Sequence, residues 1–338
     1  PLHLCKEHEE LLNENLPSGP VSDATTTSAF KLLAKDANAR VVVNFHGNAA
    51  HIGSVFRPEV YRALLGISTP SNPVHVFAFD YRGYGESTGS PTEEGVITDA
   101  ITLLNFLTAP PLSIPPSRIA LVGTSLGTAI ATAVAERFAF GAPESAVIQP
   151  AISTREPFAG VILLAPFSNL PKLIESYSFK GLTPPLLSPL IGYPRVQKYL
   201  VDCIVDRWDT ATRVARLTGV SPVPEDEPDS TYSNKPFDLT IVHARDDSDI
   251  PWREGRRVWQ AATGENNGTT SGKLVYKRVS QNDLSEVEVW EKVLDTSSEV
   301  AHKKGVKRVR WEKVAYGGHN RIATYSVAAL AVLRAFEE

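Results

Sequence analysis

The chain has 338 residues, 42% of them hydrophobic, and 34 basic against 38 acidic side chains give it a formal net charge of −4. Such a length and apolar fraction suit one large α/β core, with two domains as the alternative, and the weak negative balance excludes the global basic footprint of a nucleic-acid binder. Two cysteines, Cys5 and Cys203, exclude a disulfide framework and lack metal-ligand spacing, and no uncharged run reaches the ~18 residues of a membrane helix.

No methionine occurs, and the opening Pro1-Leu2-His3-Leu4 gives the expectation of a fragment or processed chain that has lost a signal or anchor segment upstream. Residues 1–24 are polar and marked by Pro and Gly, an N-terminal extension with a short helix expected at Lys6 to Leu12. Ala29 to Leu33 reads as a strand, and Arg40 to His46 as a stronger one. The latter runs into Gly47-Asn48-Ala49-Ala50-His51, either a simple strand-ending turn or the turn that carries a backbone donor for an oxyanion. A third strand, Val74 to Asp80, leads into the glycine-rich Tyr81-Arg82-Gly83-Tyr84-Gly85, where Asp80 and Arg82 are expected to order the loop by ion pairing rather than do chemistry. Ser90-Pro91-Thr92-Glu93 reads as a capping box with Pro at the first helical position, opening a helix that buries Ile97, Ala100, Ile101, Leu104 and Leu107.

Next comes the stretch with the most chemistry. The apolar run Arg118 to Val122 meets Gly123-Thr124-Ser125-Leu126-Gly127 and continues into an Ala-rich helical pattern to Phe140. Strand, pentapeptide and helix in that order make a nucleophile elbow. Gly123 and Gly127 are the small residues that a serine at the apex of a sharp turn demands, and the new helix turns its free N–H groups toward any anion formed at Ser125. A further core strand, Gly160 to Ala165, precedes residues 167–235, which carry eight prolines between Pro171 and Pro228 and end in the acidic Glu225-Asp226-Glu227-Pro228-Asp229. This stretch is expected to form a cap over the site, its apolar pieces serving either packing or lipid contact.

Phe237 to His243 returns to the sheet and is followed by Asp246, Asp247 and Asp249. Asp247 is the choice for a catalytic acid, four residues before the Pro251 that starts a helix over Trp252 to Ala262, with Asp246 the alternative. From Asp247 to His319 is 319 − 247 = 72 residues, so 264–305 is read as a surface insertion, irregular at first and helical around Leu284 to Leu294. Asn267-Gly268-Thr269 is a glycosylation sequon in a lumenal setting, and Lys303, Lys304, Lys307, Arg308 and Arg310 form a basic patch, either solvated or in contact with anionic lipid. The last strand, Arg308 to Val314, ends in Ala315-Tyr316-Gly317-Gly318-His319, before a closing helix from Ile322 to Phe336. The order nucleophile, acid, histidine is the one an elbow of this type requires.

Together, His46-Gly47-Asn48-Ala49, Asp80-Tyr81-Arg82-Gly83-Tyr84-Gly85, Gly123 to Gly127, His243-Ala244-Arg245-Asp246-Asp247 and Gly318-His319 resemble the α/β-hydrolase superfamily. More narrowly they resemble fungal members of the group that includes the membrane-anchored monoacylglycerol and lysophosphatidylserine lipases, over about residues 25 to 338. The resemblance implies a mostly parallel sheet with helices on both faces and a cap insertion. It implies Ser125 as nucleophile, His319 as base, Asp247 as acid, and the N–H groups of Asn48 and Leu126 as oxyanion donors. It also implies an N-terminal membrane anchor and a membrane-associated location such as the endoplasmic reticulum, against a cytoplasmic one without the anchor. Two departures stand out: Ala49-Ala50-His51, where a more glycine-rich turn is usual, bears on the oxyanion hole, and the long insertion before His319 bears on substrate class. The expectation is a serine hydrolase of lipid-like acyl esters, with a membrane surface as a further contact, no nucleic acid, and no metal or cofactor; oligomeric state is left open. A protein-acyl thioesterase, a peptidase, or a non-catalytic binding protein of the same fold are the rivals.

Overall fold

The computed structural model describes residues 23–54, 56–142, 156–176, 192–221, 235–265, 268, 272–294 and 305–337. The helix expected at 6–12, Cys5, the acidic 225–229, Asn267, Thr269, Lys303 and Lys304 lie outside them.

Eight strands form one sheet in the order β2-β1-β3-β4-β5-β8-β7-β6. Strands β1 (Arg40–Phe45), β2 (Val74–Ala78), β3 (Ile119–Thr124), β4 (Gly160–Leu164), β5 (Phe237–Ala244) and β8 (Val306–Val314) are joined by parallel pairings. β6 (Lys273–Val279) and β7 (Glu286–Val293) extend the sheet beyond β8 as an antiparallel hairpin. The central strands are continuous apolar runs because helices cover both faces of a parallel sheet, so inward and outward positions are equally dry. Alternation then only chooses the face. Val41, Val43, Phe45 and Leu121 join the larger core cluster, while Val42, Ala120 and Val122 join the smaller one on the opposite side.

Over the larger cluster lie α3 (Glu93–Thr108), α4 (Leu126–Phe140), α7 (Thr210–Thr218) and α8 (Trp252–Thr263). Over the smaller lie α2 (Arg57–Leu65) and α9 (Ser326–Glu337). The Ala-rich α4 is buried around nearly its whole circumference, which small side chains permit by letting neighbouring backbones approach. From β1 the chain winds outward to β2, then returns across β1 to β3, β4 and β5. This reversal between β1 and β3 opens a crevice at the carboxyl ends of those two strands.

Several local expectations are corrected. Ala29 to Leu33 belongs to a helix, α1 (Ser28–Lys35), not a strand: Thr27 caps it by accepting the Phe30 N–H at 3.2 Å. The cap of α3 is Thr92, which accepts the Gly95 N–H at 3.2 Å, so Pro91 precedes the cap and is not the first helical residue. The helix expected around Leu284 to Leu294 is instead β7, in which Val287 and Val289 alternate with Glu286 and Glu288. Lys307 is no solvated member of a patch: it is fully buried and its ammonium donates to the Leu217 carbonyl at 2.7 Å. Arg308 and Arg310 are half-buried and paired with Glu291 and Glu312.

Within residues 167–235 the described segments are largely helical, comprising α5 (Leu170–Ser176), α6 (Pro194–Asp202) and α7. α7 is a crossover helix of the core layer, burying Val214, Ala215 and Leu217 against α4 and α8. α6 by contrast exposes Tyr193, Val196, Tyr199 and Leu200 at and just before its start and along its length.

Candidate active site

The turn between β3 and α4 holds Ser125 at φ 53° and ψ −119°, a conformation that costs a non-glycine residue about 1–3 kcal/mol. The surroundings enforce it. A methyl group at Gly123 would collide with the carbonyl of Gly127, and one at Gly127 would collide with the carbonyl of Phe45. Both glycines are therefore required by the close approach of strand, turn and helix. The Ser125 N–H is committed to the Leu164 carbonyl at 3.0 Å. That of Leu126 opens α4, where a helix has no acceptor of its own to offer.

The turn after β1 lies against this elbow. A methyl group at Gly47 would sit 3.3 Å from Ser125 Cβ and 3.9 Å from its Oγ, so Asn48 follows the residue that touches the serine. The Asn48 side chain accepts the Tyr84 hydroxyl at 2.6 Å. Ala49 and Ala50 both adopt left-handed backbone, φ 61° and 60°. Arg57, at the start of α2, holds the turn from outside by donating from Nη2 to the carbonyls of Gly47 at 3.0 Å and Ala49 at 2.6 Å. Behind it, the His46 ring donates from Nδ1 to the Gly47 carbonyl at 2.8 Å and stacks on Tyr81 with centroids 4.1 Å apart. Asp80 and Arg82 do order their loops, though not by pairing with each other: Asp80 accepts the Ile52 N–H at 2.9 Å, and Arg82 forms its ion pair with Asp99.

The other half of the site hangs from β5 and β8. These strands are neighbours, with Ala244 opposite Val314, so the loops leaving them meet although 72 residues separate Asp247 from His319. His319 Nδ1 donates to Asp247 Oδ2 at 2.9 Å, which leaves its Nε2 as the acceptor. Asp247 Oδ1 accepts the N–H groups of Asp249 and Ile250, each at 2.9 Å. Asp246 is exposed and takes a different task, accepting the Gly318 N–H at 2.8 Å and fastening the histidine loop. Ser125, Asn48, Leu126 and His319 all line one cavity of about 1000 Å³, whose apolar wall includes Phe167, Leu173 and Trp208 from the stretch after β4.

The model of the alpha/beta hydrolase family matches residues 41–278, more than half of the chain. The protein belongs to that family. The matched span of this α/β hydrolase takes in Ser125 and Asp247 and ends before His319. Among curated proteins it is similar to human Protein ABHD12B, 28% identical over 246 residues, covering 73% of this chain and 56% of the relative. It is also similar to the lysophosphatidylserine lipase ABHD12 of Danio rerio, 27% identical over 224 residues, covering 66% of this chain and 47% of the relative. The chain thus spans about half the length of the curated relatives it matches. Among solved structures, esterase B from Lactobacillus Rhamnosis is 15% identical, with a TM-score of 0.47, coverage of 90% of this chain and 76% of the esterase.

The electrostatics of the hydrolase follow from that geometry. Burial works against the Asp247 charge, but hydrogen bonds from His243 and His319 outweigh it and hold the carboxyl below the usual carboxylate range. Burial likewise disfavours a charged His319, yet the Asp247 hydrogen bond and charge, with Asp249 adding, raise its pKa above the ordinary histidine value. Burial pushes His46 down to about 4, so this ring is neutral at physiological pH.

Two residues at the site have contacts that the sequence reading did not assign to them. His243 is fully buried, and since a carbonyl only accepts, its Nε2 carries the proton shared between Ile250 O at 2.9 Å and Asp247 Oδ2 at 3.3 Å. A polar residue following Ile241-Val242 near the carboxyl end of a buried strand, four before Asp247, was its signal. Arg57 left no comparable trace, being a single arginine between Phe56 and Pro58 at a helix start.

Proposed function

We propose that this hydrolase cleaves carboxylic esters through an acyl-enzyme, with lipid acyl esters of the monoacylglycerol or lysophospholipid kind as substrates. The observation that carries the reading is the His319–Asp247 hydrogen bond, formed across 72 residues, in the same cavity as a serine held in strained backbone. His319 Nε2 takes the Ser125 proton as Oγ attacks the ester carbonyl, and Asp247 fixes the tautomer and balances the imidazolium. The N–H groups of Asn48 and Leu126 receive the oxyanion, each worth roughly 3 kcal/mol of barrier. His319 then protonates the departing alcohol, and water, activated the same way, releases the acid. Support for a lipid substrate comes from the apolar cavity wall and from relatives named lysophosphatidylserine lipases. Exposed Tyr193, Val196, Tyr199 and Leu200 on and beside α6 support contact with a membrane surface.

The test is intact-mass labelling by a fluorophosphonate. One adduct on the native protein and none on Ser125→Ala is the expected result, followed by turnover of short-chain acylglycerols. A folded native protein that takes no label would overturn the mechanism.

A further inference from the structure

Arg57 brings a cation to the cavity wall without an ion-pair partner among the described residues, the Asp80 carboxylate being a neighbour of His46 and Tyr61 as Arg57 is. Its Nη2 is spent on two neutral carbonyls, Gly47 and Ala49, while its Nη1 is buried and has no hydrogen-bond partner. Among the described residues no carboxylate lies within ion-pair distance of it, although Asp206 and Asp249 line the same cavity. A guanidinium offers five donors in a planar fork, and a buried donor left without an acceptor is destabilising. Bracing a turn needs neither a full charge nor the second nitrogen. The charge is also felt nearby: burial governs the titration of His46, Tyr61, Tyr81 and Tyr84, and Arg57 acts on all four as a positive neighbour.

Gly47, whose carbonyl Arg57 grips, is the residue packed against Ser125. An anion held by the Arg57 guanidinium at the cavity wall therefore stands close to the reacting carbonyl, on the side of the turn that carries Asn48. We infer that Arg57 is the recognition residue for an anionic group, of the phosphate type, on the alcohol portion of the ester. The inference rests on the ester-hydrolase reading and deepens it: the preferred substrates are acylglycerols that bear a phosphate, ahead of neutral acylglycerols of the same chain length. The planar fork matches two phosphate oxygens, whereas a lysine at this position would offer a single point charge.

The experiment compares hexanoylglycerol with hexanoylglycerol phosphate, both soluble as monomers, on the native protein, Arg57→Gln and Arg57→Lys. The expected result is a lower KM for the phosphate ester in the native protein. In Arg57→Gln the ratio of kcat/KM values, phosphate over neutral, falls at least about tenfold, with an intermediate ratio in Arg57→Lys. A loose turn would slow both esters alike, so an unchanged ratio overturns the inference and leaves Arg57 as a brace. Should Arg57→Gln fail to fold, the native protein still decides: glycerol 3-phosphate must compete with hexanoylglycerol hydrolysis where glycerol does not, and equal failure of both to compete overturns the inference. Turnover of the neutral ester with no phosphate preference removes only the Arg57 reading. No turnover of either ester and no fluorophosphonate adduct would remove the ester reading and this one with it.

Discussion

At Asp247 three hydrogen bonds and a second histidine converge on one buried carboxylate, and the imidazole of His319 inherits the consequences. In the proposed mechanism His319 must be neutral to accept the Ser125 proton, and its partner favours the cation, so the acid limb of kcat/KM is expected to rise through a midpoint above 6.5, the ordinary histidine value. In Asp247→Asn that midpoint moves to lower pH while kcat falls by about 10⁴, since the amide removes the charge and permits the wrong tautomer. A pH–rate profile of both proteins checks the pair; an unshifted midpoint would argue that His319 does not titrate against Asp247. Stability follows the opposite signs. The depressed Asp247 contributes stability above the unfolded carboxylate value, lost as pH falls through its folded one, whereas the raised His319 contributes below 6.5 and loses it as pH rises through its folded value. Ser125, Asp247 and His319, the proposed triad, could be picked out from the sequence because each follows a strand end, Ser125 and His319 beside glycines and Asp247 four residues before Pro251. Arg57 and His243 could not, because their roles rest on how the turn at 47–49 and the loop at 247–250 fold back onto them, which no residue pattern announces.

The elements were legible where pattern and length agree and misread where they conflict. Arg40–Phe45, Ile119–Thr124 and Leu126–Phe140 are long, apolar and bounded by glycine, and match the sequence reading within a residue or two. Ala29-Phe30-Lys31-Leu32-Leu33 is too short for its apolar content to tell a helix from a strand, and the deciding feature is the Thr27 cap just before it. Glu286 to Val293 carries alternating valines that the surrounding polar, irregular sequence obscured. The turn after β1 holds a prediction of its own. Ala49 stands at φ 61°, where an L-residue is strained by roughly 1 kcal/mol relative to glycine. Ala49→Gly is therefore expected to raise the denaturant midpoint slightly or leave it unchanged, with entropy of the unfolded chain offsetting part of the relief. A clear loss of stability would mean that the methyl group packs against something the strain serves.

For the whole molecule, Lys292 and Lys307 stand opposite each other on β7 and β8 and reach together for the C-terminal turn of α7, at the Gly219 and Leu217 carbonyls. They tie β7 and β8 to the helical layer. Burial, then the nearby Lys292, pushes the Lys307 ammonium down to about 7. Between that value and the ordinary 10.5 the unfolded chain binds a proton that the folded one does not, so this group makes stability rise with pH across the window. Lys307→Met should flatten that rise, seen as a smaller difference in Tm between neutral and mildly alkaline buffer. An undiminished difference would assign the pH dependence elsewhere.

The hairpin of β6 and β7 occupies the interval between acid and histidine in sequence, yet lies on the far side of β8 in space. Length can therefore be added there without moving the loops that carry Asp247 and His319, because β5 and β8 stay adjacent whatever the chain does between them. The turn at 280–285, closed by the Ser280 hydroxyl accepting the N–H groups of Leu284 and Ser285, is thus a natural splice point for a reporter domain or an immobilisation tag. A protein engineer gains a handle in the middle of the gene that is remote from the chemistry.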